Sequence, residues 1–105
     1  MSDIQDIKEI ADHYGYDTQS GQLVEECAEL IQAVSKLRRA ILARDGAKQL
    51  ECVGAIEEEI ADVEIMLEQV RYLLRIPPAN IESWKAIKIL RQKERMVKNG
   101  RVDFD

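Results

Sequence analysis

Histidine occurs once in the 105 residues, at His13, so no site in this chain can be built on paired histidines. That speaks against the usual zinc sites and against carboxylate-bridged di-iron bundles, which use Glu-x-x-His pairs. Two cysteines cannot make a disulfide framework, and five glycines with two prolines exclude collagen-like and low-complexity chains. Aromatic residues amount to 5%, so the core has to be aliphatic. No uncharged run approaches the ~18 apolar residues of a membrane span. The first residues carry Asp3, Asp6 and Glu9 where a secretory signal would be basic, which predicts a cytoplasmic protein without membrane attachment.

A third of the residues are charged and the net charge is −5, which disfavours a nucleic-acid-binding surface. The charge is unevenly spread. Residues 1–77 hold eight Lys or Arg against sixteen Asp or Glu, whereas residues 78–105 hold seven against four. An acidic body is therefore followed by a basic segment. Size and composition fit one domain spanning residues 1–105.

Apolar residues recur at helical spacing throughout, and no stretch alternates with period two. Ile4, Ile7, Ile10 and Ala11 predict a short helix over 3–13, ended by Tyr14-Gly15-Tyr16-Asp17. A second helix, capped by Thr18 or Ser20, carries Leu23, Cys27, Leu30, Ile31, Val34, Leu37 and Ile41 and stops at Asp45-Gly46. A third runs from about Ala47 to Arg75, where Pro77-Pro78 forbid its continuation. A fourth is expected from an Asn80 cap, through Ile81, Trp84, Ile87 and Leu90, to Asn99-Gly100. The expected fold is all-α, a small four-helix bundle-like domain with two long antiparallel helices.

Those two helices repeat one pattern. Leu23-Val24-Glu25-Glu26-Cys27-Ala28-Glu29-Leu30 matches Ile56-Glu57-Glu58-Glu59-Ile60-Ala61-Asp62-Val63 position by position. At 100° per residue, Glu26 and Glu59 sit at the edge of their apolar stripes, with Glu29 and Asp62 one turn on. Residues level across an antiparallel hairpin have numbers with a constant sum. Glu26 with Asp62 and Glu29 with Glu59 both sum to 88, which centres the hairpin on residue 44, beside the turn read from Arg44-Asp45-Gly46. Four carboxylates are thus expected at one level. Burial and mutual repulsion would raise their pKa values unless cations compensate them, and all-oxygen ligation suits Mg²⁺, with Mn²⁺ as a substitute. Cys27 and Cys52 fall too far apart along this hairpin to be bridged, and both read as small buried apolar residues.

The pair Glu25-Glu26-x-x-Glu29 and Glu59-x-x-Asp62 resembles the signature of the MazG-like, all-α nucleoside triphosphate pyrophosphohydrolases, and the likeness extends over roughly Gln19 to Arg95. The resemblance implies a metal-dependent enzyme that hydrolyses nucleoside or deoxynucleoside triphosphates to the monophosphate and pyrophosphate. It makes Glu26, Glu29, Glu59 and Asp62 the metal ligands and the catalytic set. The segment Lys88-x-x-Arg91-x-x-x-Arg95 resembles the family's basic C-terminal motif, which grips phosphates, and Lys36 is placed to join it. Gln19 and Gln22 are candidates for contacts to base or sugar, and Trp84 for core or base stacking. Homodimers or homotetramers are implied, in keeping with the broad aliphatic face of the two long helices. The competing readings are a non-catalytic helical adaptor whose acidic stripe binds a basic partner, and a di-iron or manganese carboxylate protein.

Overall fold

The computed structural model describes residues 4–100, and every element in them is helical. Helix α1 spans Ile4–Leu42, α2 spans Gly46–Leu73 and α3 spans Pro78–Arg95, followed by a π-helical turn, Met96–Gly100. No strand occurs among the described residues, as the single helical period of the sequence requires. None of these helices is long and apolar enough to cross a membrane.

The expected break over 14–17 is confined to one residue. Gly15 has φ 84° and ψ 171°, while Tyr14, Tyr16 and Asp17 stay helical on either side. Backbone of that kind is open only to glycine, so a single Gly suffices to redirect the chain. Ser20 does not cap a new helix; its hydroxyl donates back to the Asp17 carbonyl at 3.2 Å.

The turn between α1 and α2 is compact. Arg44 takes a left-handed conformation at φ 55°, its N–H donates to the Ile41 carbonyl, and the Asp45 N–H reaches back to Ala40, each at 3.0 Å. This is the Schellman geometry that satisfies the last carbonyls of a helix. Asp45 then turns donor-seeking side chain to the next helix: its carboxylate accepts from the Lys48 N–H at 3.1 Å and caps α2. One residue ends one helix and starts the next, which forces α1 and α2 side by side and antiparallel.

The chain divides into two compact units, one up to Arg75 and one from Ile76. In the first, the seam buries Ile7, Ala11, Ala33, Ala40, Cys52, Val63 and Met66. Three of these seven are alanines, so the helices approach closely and enclose little apolar volume. Both cysteines are free thiols. The segment before the kink is tied to the end of α2 by Tyr72, whose hydroxyl donates to Asp12 Oδ2 at 2.8 Å beneath the Lys8 ammonium. Keeping that proton against the Asp12 carboxylate holds the Tyr72 pKa above its usual value.

In the second unit, α3 begins at Pro78 with Pro77 in the cap position, not at Asn80 as the sequence suggested. Proline is well suited to a first turn because its missing N–H is one that would go unpaired there. Trp84 is 55% exposed and is not a core residue; it lies under the Lys88 ammonium, 5.8 Å from the ring centre.

Candidate metal and phosphate site

Glu26, Glu29 and Glu59 each offer a carboxylate oxygen, and these oxygens lie within 4.8 Å of one another. The hairpin brings them together from two elements, Glu26 and Glu29 one turn apart on α1 and Glu59 opposite on α2. Asp62 is half-buried one turn beyond Glu59 and outside this triplet, yet its charge acts on both Glu29 and Glu59. It belongs to the rim of the cluster. Glu25, Glu57 and Glu58 are exposed.

The three carboxyls do not titrate alike. Glu26 is held below the ordinary carboxylate range, chiefly because Gln22 Nε2 donates to its Oε2 at 2.7 Å, and further because Glu29 donates to it. Glu29 is pushed up, first by giving that hydrogen bond to Glu26 and then by the Glu26 charge. Glu59 is also pushed up, first by desolvation and then by the Glu29 charge. Without a cation, then, the cluster favours the charge on Glu26 and makes Glu29 and Glu59 hold their protons more tightly than ordinary carboxyls.

Two oxygens have no protein partner. Glu26 Oε1 and Glu59 Oε2 are fully shielded from solvent and accept no hydrogen bond from any described group. A carboxylate oxygen removed from water without a donor is costly, and a bound cation relieves it. The donor set is all oxygen, which fits the hard ions Mg²⁺ and Mn²⁺ better than a soft metal.

The residues flanking the triplet make contacts within the hairpin. Gln22 is half-buried and its amide holds Glu26. Gln19 is buried, and its Nε2 donates to Gln69 Oε1 at 2.7 Å. Its amide is engaged in the hairpin, so a direct contact from Gln19 to base or sugar would have to break that bond. Gln69, which no motif singled out, carries a readable signal all the same: Gln19 and Gln69 sum to 88, the register of the carboxylates. Lys36 is exposed on α1, two turns beyond Glu29.

The basic residues form a patch of their own. Lys88, Arg91 and Arg95 line a concavity of about 480 Å³ on α3 and the π-turn, with Gln92, Glu94 and Lys98. They recur every three or four residues and so share one helix face. Four cations beside one carboxylate suit a polyanion such as a phosphate chain.

No family model matches the chain, and neither a curated protein nor a solved structure matches it. The functional reading therefore rests on the residues themselves and on the likeness of their spacing to the pyrophosphohydrolase signature.

Proposed function

We propose that the chain is a Mg²⁺-dependent nucleoside triphosphate pyrophosphohydrolase of the all-α, MazG-like type, acting on the nucleotide pool. The observation that carries this reading is the convergence of Glu26, Glu29 and Glu59 within 4.8 Å, with two of their oxygens buried and unpartnered. The matching motif on each helix and the hairpin register support it.

In this reading Glu26, Glu29 and Glu59 hold the cation, with Asp62 completing the set or orienting water at the rim. A bound divalent ion would lower the pKa of a coordinated water and neutralise charge on the phosphoryl oxygens. Gln22 keeps Glu26 ionised and fixed. Glu29 and Glu59 hold their protons more tightly than ordinary carboxyls, and a cation would compete with those protons, so affinity should rise as pH passes through the raised values. Lys88, Arg91 and Arg95 on α3 form a cationic patch of the kind that grips phosphates, and Lys36 on α1 is a separate candidate for the same chemistry. Cleavage between the α- and β-phosphates then gives monophosphate and pyrophosphate.

The deciding experiment is pyrophosphate release from a panel of NTPs and dNTPs with Mg²⁺, Mn²⁺ or EDTA. Metal-dependent release with a monophosphate product supports the reading and ranks the substrates. No release from any nucleotide sinks it and leaves the acidic stripe as a binding surface.

A further inference from the structure

Helix α3 and its π-turn carry a charge opposite in sign to that of the chain. Residues 78–100 hold six Lys or Arg against two Glu, although the net charge of all 105 residues is −5. The whole-chain charge that disfavours a nucleic-acid surface does not describe this segment, because charge acts over little more than a Debye length of ~8–10 Å. Lys85 is paired with Glu82 at 3.7 Å. Lys88, Arg91, Arg95 and Lys98 line the concavity of about 480 Å³, and among the described residues none of these four forms an ion pair.

Trp84 belongs to the same face. At 100° per residue, Trp84, Lys88, Arg91 and Arg95 fall within about 60° of one another. Trp84 is the single tryptophan of the chain, and a residue type that is usually well buried is here 55% exposed, with the Lys88 ammonium over its ring. An exposed indole at the head of a row of unpaired cations offers two contacts at once, a face for stacking and charge for phosphate. The length of the row decides between occupants. From Trp84 to Lys98 the chain runs about 20 Å at ~1.5 Å per residue. The three adjoining phosphates of one nucleotide reach only part of that distance. A single strand, with one phosphate every ~3.4 Å along its axis, sets roughly six beside it.

We propose that this face of α3 binds single-stranded nucleic acid, with a base stacked on Trp84 and successive phosphates on Lys88, Arg91, Arg95 and Lys98. The interaction goes beyond the pyrophosphohydrolase reading and does not depend on it, since it uses neither the carboxylate triplet nor a cation. Binding of this kind tolerates any sequence, because every base has a π-face to lay on the indole. It weakens steeply with salt, because each phosphate contact releases counterions.

The test is titration of the full chain, in EDTA, with an oligodeoxythymidylate of about 16 nucleotides at salt between about 50 and 200 mM. Trp84 is the single tryptophan, so quenching of its fluorescence reports stacking directly. Quenching is expected, with a log–log salt slope of about −3 for four cations at about −0.7 each. Arg91→Ala with Arg95→Ala is expected to lower affinity at least tenfold and to halve the slope, with unchanged helical circular dichroism. Trp84→Ala, followed by the anisotropy of a labelled oligomer, is expected to bind at least about fivefold more weakly. No binding at the lowest salt overturns the proposal. So does binding without quenching, or equal affinity for polyglutamate, either of which leaves a bare patch of charge. A nucleoside triphosphate that displaces the strand at equal concentration confines the patch to one nucleotide and also overturns it. Because EDTA keeps metal from the triplet, these outcomes stand apart from the fate of pyrophosphate release, which is measured with metal present.

Discussion

Gln19 and Gln69 are joined by a 2.7 Å hydrogen bond across the hairpin, and both are almost wholly buried, at 6% and 2% exposed. They are the buried polar side chains of the seam, and their pairing locks α1 to α2 in the register that brings the carboxylates together. Replacing one partner strands the other. Gln69→Leu should cost about 1–3 kcal/mol by leaving the Gln19 amide unsatisfied. Gln19→Leu with Gln69→Leu should recover part of that loss, because two apolar groups suit a buried seam. Urea denaturation of the two single variants and the double variant measures the coupling; strict additivity would mean that the pair carries no interaction energy.

The carboxylate triplet should make stability depend on pH in a defined direction. Glu29 and Glu59 hold their protons more tightly folded than unfolded, so their contribution is present below the ordinary carboxylate pKa and lost as pH rises through the raised values. Glu26 runs the other way: its contribution is present above the ordinary value and lost on acidification. The metal-free protein should therefore lose the contributions of Glu29 and Glu59 as pH rises above the ordinary carboxylate value and through their raised values, and Mg²⁺ or Mn²⁺ should restore stability there. Glu59→Gln should raise the metal-free melting temperature at neutral pH, since an amide donates to Glu26 without charge, while abolishing pyrophosphate release. Thermal melts with and without metal check this; a lower melting temperature for Glu59→Gln would contradict an unfavourable burial of that carboxyl.

Left-handed backbone predicts opposite outcomes at two positions. Arg44 adopts φ 55° with a full side chain, a conformation that costs a non-glycine residue about 1 kcal/mol. Arg44→Gly should therefore stabilise the chain by up to about 1 kcal/mol through a better helix end. Gly15→Ala should destabilise it by about 1–3 kcal/mol, although a Cβ there would meet no atom within 4 Å, because φ 84° with ψ 171° is closed to alanine. Shifts in the urea midpoint at constant slope test both.

Phosphate binding by α3 predicts discrimination between nucleotides. Arg91→Ala should weaken triphosphate binding about tenfold, some 1.4 kcal/mol, with a smaller effect on the monophosphate. Calorimetric titration of the two ligands in the presence of Ca²⁺ as a non-turnover ion compares them. Equal losses would remove Arg91 from the β- and γ-phosphates.

Much of the hairpin was legible in residue order alone. An unbroken helical period excluded strands, Pro77-Pro78 marked the end of a long helix, and two copies of one carboxylate pattern summing to 88 set a register about residue 44. These features are local or follow from the arithmetic of antiparallel helices, so they need no knowledge of packing. The helix ends were less legible, because a cap is chosen by competition: Asp45 serves both helices, and Pro77 displaces Asn80 at the start of α3. Only the tertiary structure separated the four motif carboxyls into a triplet and a rim residue, since side-chain reach across the seam depends on how closely the alanines let the helices approach. It also turned Gln19 and Gln22 inward to Gln69 and Glu26, because an amide beside a buried carboxylate or amide gains more there than in water.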